Sequence, residues 1–106
     1  MSQVVRPASV REDLKDIGRR IAQESQSLDL ALRFLDRIDE KCRLYATHPE
    51  MGTPRGDLGS GVRCFSVGDY VVFYEPCRIG IRLLLVVHGS REIPRDFQDR
   101  FRQPRG

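Results

Sequence analysis

The stretch HPEMGTPRGDLGSGVRCFSVGDYVVFY, His48 to Tyr74, decides how the chain folds. Before it, apolar residues recur at helical spacing. After it, they recur at strand spacing. The change falls within residues 48–61, which hold two prolines and four glycines. Such punctuation reads as an ordered loop that closes a helical half. Next come VRCFSV (62–67) and YVVFYE (70–75), separated by Gly68-Asp69. Two strand-like runs around a Gly-Asp pair predict a β-hairpin.

Working back from the loop, Pro49 stops a helix near His48. Its buried stripe is Ala31, Leu35, Ile38, Cys42 and Tyr45, widened by Leu32 and Phe34. Asp39 and Arg43 sit four residues apart and can pair. SQSLD (25–29) breaks the pattern, and Val10, Leu14, Ile17 and Ile21 mark an earlier one-faced helix. The short break implies an antiparallel helical hairpin. Pro7 opens the first helix, and Ser9-Val-Arg-Glu12 fits a capping box. Glu12, Asp13 and Asp16 come early and Arg19 and Arg20 late, an order that suits the helix dipole. QVVR (3–6) reads as a short strand.

Working forward, Pro76-Cys77-Arg78 is expected to turn the chain. IGIRLLLVVH (79–88) is the longest strand, with Ile79, Ile81, Leu83, Leu85 and Val87 on one face. Leu84 and Val86 make its other face partly apolar, as in a central strand covered on both sides. RDFQDRFRQ (95–103) places Phe97 and Phe101 four apart, which predicts a short C-terminal helix on the sheet. The fold class is therefore α+β. A short N-terminal strand and an antiparallel helical hairpin pack on a small, mainly antiparallel β-sheet, in one domain spanning residues 1–106.

Composition narrows the function. With 40% hydrophobic and 31% charged residues, the chain reads as soluble and globular. No apolar run approaches the ~20 residues of a membrane span. MSQVVRPASV does not read as a secretory leader. Cys42, Cys64 and Cys77 are odd in number and show no metal-ligand spacing. Free thiols in the cytoplasm are expected, with no metal and no cofactor. Sixteen of eighteen cations are Arg, and the whole net charge of +3 falls in residues 54–106. Arg suits bidentate contact with carboxylate or phosphate, although a codon bias toward Arg explains the composition equally well. Basicity alone does not predict sequence-specific nucleic-acid binding. Arg55-Gly56-Asp57 spells an adhesion tripeptide, but three residues carry little weight. A charge-assisted tie between Arg55 and Asp57 within the loop is the expected role.

Pro49, Gly52, Arg55, Asp57, Leu58, Gly61, Arg63 and Phe65 follow one another at spacings that resemble the loop-to-hairpin run of the ParE/RelE toxin superfamily. PASVREDLKDIGRRIA, VVHGSRE and the length of the chain add to the resemblance, which is strongest to the ParE branch. It implies the toxin of a type II toxin–antitoxin system, of the kind linked to plasmid stabilisation. Such toxins inhibit DNA gyrase and are neutralised by a ParD-like ribbon-helix-helix antitoxin in a hetero-oligomer. On that footing Arg63, Arg82 and Arg91 are the expected antitoxin anchors. Arg95, Phe97, Arg100 and Phe101 are the expected gyrase contacts. The alternative is a RelE-like ribosome-dependent endoribonuclease using Arg63, His88 and Arg91, or an inactive member that only binds antitoxin. Against ribonuclease chemistry, Val71 follows Tyr70 where that branch would place Arg. A lone histidine without an acid partner is also a weak base signal. Ser90 has no triad. The chain is thus expected to act as a protein–protein inhibitor rather than an enzyme.

Overall fold

The computed structural model describes residues 2–89. The elements run β1 (Gln3–Val5), α1 (Ala8–Ser25), α2 (Leu28–Thr47), a 3-10 turn (Pro49–Met51), β2 (Thr53–Pro54), β3 (Arg63–Val67), β4 (Tyr70–Cys77) and β5 (Gly80–His88). They build the α+β fold expected: two helices on one five-stranded sheet of order β1-β5-β4-β3-β2. β1 runs parallel to β5, and the other pairings are antiparallel. The predicted C-terminal helix lies outside the described residues, as do Arg91, Arg95, Phe97, Arg100 and Phe101. The two-residue β2 was not anticipated, because Thr53-Pro54 carries no periodic pattern.

α1 starts two residues earlier than a cap at Ser9 requires. Pro7 is its N-cap, extended at φ −60° and ψ 162°, with no side-chain cap. Ser9 is already helical, so the expected capping box does not form. Nor does the dipole argument apply: no acid lies in the first turn, and the helix runs past Arg20 with no base in the last. What holds α1 is its apolar face, with Val10 and Ile17 buried and Leu14 and Ile21 packed beside them. Gln26 adopts φ 58° to end the helix. Ser27 then caps α2, its hydroxyl accepting from the Leu30 amide at 3.1 Å. The α2 stripe packs as expected except for Leu32, which is 52% exposed. Asp39 pairs with Arg43 at 2.9 Å and also takes Arg6, fastening α2 to the segment after β1.

The β4–β5 turn falls at Arg78-Ile79, not at residues 76–78. Pro76 and Cys77 still belong to β4, opposite Ile81 and Gly80. This register sets Glu75 opposite Arg82, whose charges meet at 3.4 Å. Gly80 has φ 150°, and a Cβ there would strike the backbone of Gln3. Only glycine lets β1 dock at that point.

β5 does not keep one face throughout. Phe73 pairs with Leu85 and Tyr74 with Leu83, which leaves Leu84 as the extra residue of a bulge. Alternation therefore reverses at Leu84. Ile81, Leu83 and Val86 join the core under the helices, while Leu84 and Leu85 join Val62 and Phe73 on the far face. The expected single face of Ile79, Ile81, Leu83, Leu85 and Val87 fails because a period of two cannot register an inserted residue.

β1 pairs only with residues 80–82 of β5. Further along, α1 takes the strand's place: an Asp13 carboxylate oxygen accepts the Val86 amide at 3.2 Å. Asp13→Ala should destabilise the fold by about 1–3 kcal/mol in urea unfolding, because it strips an acceptor from a buried strand amide. Asp13→Asn, which keeps a carbonyl oxygen, should recover part of that loss.

Candidate functional site

The punctuated loop is anchored from below by Tyr74. Its phenol donates to the Pro49 carbonyl at 2.7 Å and accepts the Gly52 amide at 3.0 Å. Burial pushes the Tyr74 phenol above its ordinary pKa. A Cβ at Gly52 would overlap that hydroxyl and lie 2.8 Å from Cε1, so the position admits only glycine. Arg63, opposite Tyr74 on β3, donates through Nη1 to the Glu50 and Gly52 carbonyls at 3.0 and 2.8 Å. Two strand side chains thus clamp one turn. Tyr45 and Phe65 stack at 4.0 Å beside Tyr74 and exclude water from it.

Arg55 and Asp57 form the expected tie, two parallel bonds of 3.0 Å. That pairing raises the pKa of Arg55 and lowers that of Asp57. Arg55 also lies 5.5 Å from the centre of the Phe73 ring. Its guanidinium roofs the apolar far face of the sheet.

The candidate residues do not converge. Arg63 is on the helix side with Tyr74; Arg82 is on the far side, held by Glu75. His88 pairs with Tyr70, at the other end of the hairpin from the Arg63–Tyr74 pair. Tyr74 lies four steps along β4 from Tyr70, roughly 13 Å. Of the expected catalytic trio, Arg63 and His88 are therefore apart, and Arg91 is outside the described residues.

A different group does come together, and sequence reasoning missed it. Between the helical hairpin and the β3–β4 turn lies a cleft of about 340 Å³ that includes Arg20, Phe34, Arg37, Tyr70 and His88. Arg37 stands 5.6 Å over the Phe34 ring, Phe34 meets Tyr70 at 5.4 Å, and Tyr70 meets the His88 ring edge-on at 5.2 Å. Arg20 is bonded to Glu24 at 3.0 Å, which raises its pKa. The one sequence signal was Phe34 and Arg37 at i, i+3 on α2. Phe34 read only as extra core.

The thiols are free. Among the described residues no group of acids, histidines and cysteines is placed to hold a metal. Burial pushes the Cys42 thiol up to about 12, and Cys64 is also raised by burial. The folded state thus holds the Cys42 proton more tightly than the unfolded chain, whose thiol titrates near 9.0. Its contribution is complete below about pH 9 and fades as pH rises toward about 12. Urea midpoints should fall across that alkaline range, less steeply in Cys42→Ala. Tyr74→Phe should cost about 1–3 kcal/mol by leaving the Pro49 carbonyl and Gly52 amide without their partner. Faster hydrogen exchange at Gly52 would report the loosened loop.

Comparison with known proteins agrees with this geometry. Residues 4–93 match the family described as the ParE toxin of type II toxin–antitoxin system, parDE. The chain is 29% identical over 93 residues to Toxin ParE3 of Caulobacter vibrioides, covering 88% of this chain and 92% of that one. It is 30% identical over 82 residues to Toxin ParE1 of the same organism, covering 76% and 81%. In three dimensions it resembles a chain of the chromosomal ParDE TA system from P. aeruginosa, with a TM-score of 0.69 and 17% identity, over 83% of this chain and 96% of that one. That likeness establishes a shared fold. A family match across most of the length, through the very loop and hairpin that Tyr74 and Arg63 fasten together, places this chain in the ParE toxin family of type II toxin–antitoxin systems.

Proposed function

We propose that the chain is the ParE-type toxin of a two-protein system, held by a ParD-like ribbon-helix-helix antitoxin and acting on DNA gyrase in the cytoplasm. The observation that carries the proposal is family membership across residues 4–93. The dispersal of Arg63 and His88 supports inhibition by contact, since phosphoryl chemistry needs cations gathered around one reacting phosphate. No helix among the described residues is long and apolar enough to cross a membrane.

Arg63 serves the loop, so of the three expected antitoxin anchors the reading rests on Arg82 and Arg91. A partner carboxylate at Arg82 competes with Glu75. The gyrase contact is assigned to Arg95, Phe97, Arg100 and Phe101, in the half of the chain that carries the +3 charge.

Purified chain added to gyrase, ATP and plasmid should accumulate cleaved DNA, and the product of the adjacent reading frame should suppress it. Phe97→Ala with Phe101→Ala should abolish the cleavage and leave antitoxin binding intact. Unaffected gyrase together with cut messages on translating ribosomes would establish the endoribonuclease alternative instead. Silence in both assays would mark an inactive, antitoxin-binding member.

A further inference from the structure

Two tyrosines of β4 are buried under the helices, and the chain serves them differently. Tyr74 directs its phenol to the Pro49 carbonyl and the Gly52 amide. Tyr70 is 8% exposed, and its ring meets those of Phe34 and His88. Among the described residues its phenol makes no hydrogen bond, although a buried phenol ordinarily finds a partner. The oxygen is not sealed in: no fully buried side-chain oxygen or nitrogen among the described residues lacks a partner. What remains of its exposure opens on the cleft that Tyr70 lines.

Two guanidiniums border the same cleft. Arg37 of α2 meets no carboxylate among the described residues and lies over the Phe34 ring. Arg20 of α1 binds Glu24 through Nε alone, which leaves its terminal nitrogens unengaged there. Glu24 and, after it, the Tyr70 phenol raise the Arg20 pKa, so phenol and guanidinium lie within electrostatic reach of each other. Donors from α1, α2 and β4 thus converge on one cleft of about 340 Å³, within the size range of small-ligand sites. A carboxylate presents two oxygens in one plane. A phosphate presents three around a tetrahedron, which suits donors arriving from three sides. Asp69, in the β3–β4 turn, also lines the cleft and pairs with no cation among the described residues. Its carboxylate repels a bare anion at that end and accepts from a neutral hydroxyl.

We propose that the Arg20–Arg37–Tyr70 cleft binds a small hydroxylated phosphomonoester. The phosphate sits on Arg37, the terminal nitrogens of Arg20 and the Tyr70 phenol, and the hydroxyls of the organic part turn toward Asp69. The site is independent of the toxin–antitoxin reading, since neither antitoxin nor gyrase takes part in forming it or in its test.

The full chain, labelled with nitrogen-15, is titrated with ribose 5-phosphate, inorganic phosphate and ribose, and followed by amide shifts and calorimetry. Ribose 5-phosphate should bind, move the amides of Gly68, Asp69 and Tyr70, and bind more tightly than inorganic phosphate; ribose should not bind. Arg37→Gln should weaken binding about tenfold or more, and Tyr70→Phe about threefold or more. Because the Tyr70 phenol bonds nothing among the described residues, Tyr70→Phe should not lower the urea midpoint, which separates a ligand role from a structural one. Arg78→Gln, just beyond the other end of β4 from Tyr70, should bind like the parent. No binding by the parent overturns the proposal, as does binding by Arg37→Gln or Tyr70→Phe equal to the parent's. An equal loss in Arg78→Gln marks attraction to net positive charge and overturns it too. Equal binding of ribose 5-phosphate and inorganic phosphate overturns the assignment of an ester. If a short DNA duplex binds through Arg37 and ribose 5-phosphate does not, the cleft serves nucleic-acid phosphates and the proposal fails.

Discussion

A single phenol fastens the two halves of this protein to each other. Tyr74 reaches out of the middle of β4 and bonds both ends of the turn that follows α2. The turn would otherwise carry an unpaired carbonyl and amide into the apolar junction of helix and sheet, at a cost of about 1–3 kcal/mol each. Gly52 is then obligatory, because its Cβ would occupy the place of the hydroxyl. Arg63 completes the clamp from the neighbouring strand. The long loop that follows starts from a defined point, pairs briefly as β2, and ties itself with Arg55 and Asp57 before entering β3.

A second constraint comes from unequal strand lengths. β5 spans nine residues and β1 only three, so most of one edge of β5 has no strand beside it. The fold answers with α1, whose Asp13 accepts a strand amide. The bulge at Leu84 belongs to the same strand. By reversing the alternation, it places Val86 under the helices and Leu85 on the far face. The helical hairpin and the far face therefore both draw core residues from β5.

Much of this is legible in the sequence. Helical periodicity located both helices, and the proline- and glycine-rich run located the change to sheet. Gly68-Asp69 located the hairpin, and the resemblance to ParE toxins rests on residues that prove to be loop-fastening ones. Pattern fails where the deciding event involves one atom or one residue. A bulge adds a residue that a period of two cannot represent. The phenol of Tyr74 matters for its hydroxyl, whereas in a run of Tyr, Val and Phe it reads only as apolar bulk. The capping box at Ser9 failed because proline earlier in the segment already set the helix start. Arg63 illustrates the limit at the site. Its spacing marked it as important, and the structure gives it a loop to hold, a role no spacing announces.

The same logic separates the cations. Arg6, Arg20, Arg33, Arg43, Arg55 and Arg82 all meet carboxylates within the chain. The exposed ones among them contribute little to stability, about 0–1 kcal/mol. They also cancel the field of the surface locally. Among the described residues Arg11, Arg37, Lys41 and Arg78 meet no carboxylate, and Lys41 donates to the Ser66 carbonyl instead. In a toxin of a toxin–antitoxin system, the unbalanced positions carry more information about recognition than the total charge.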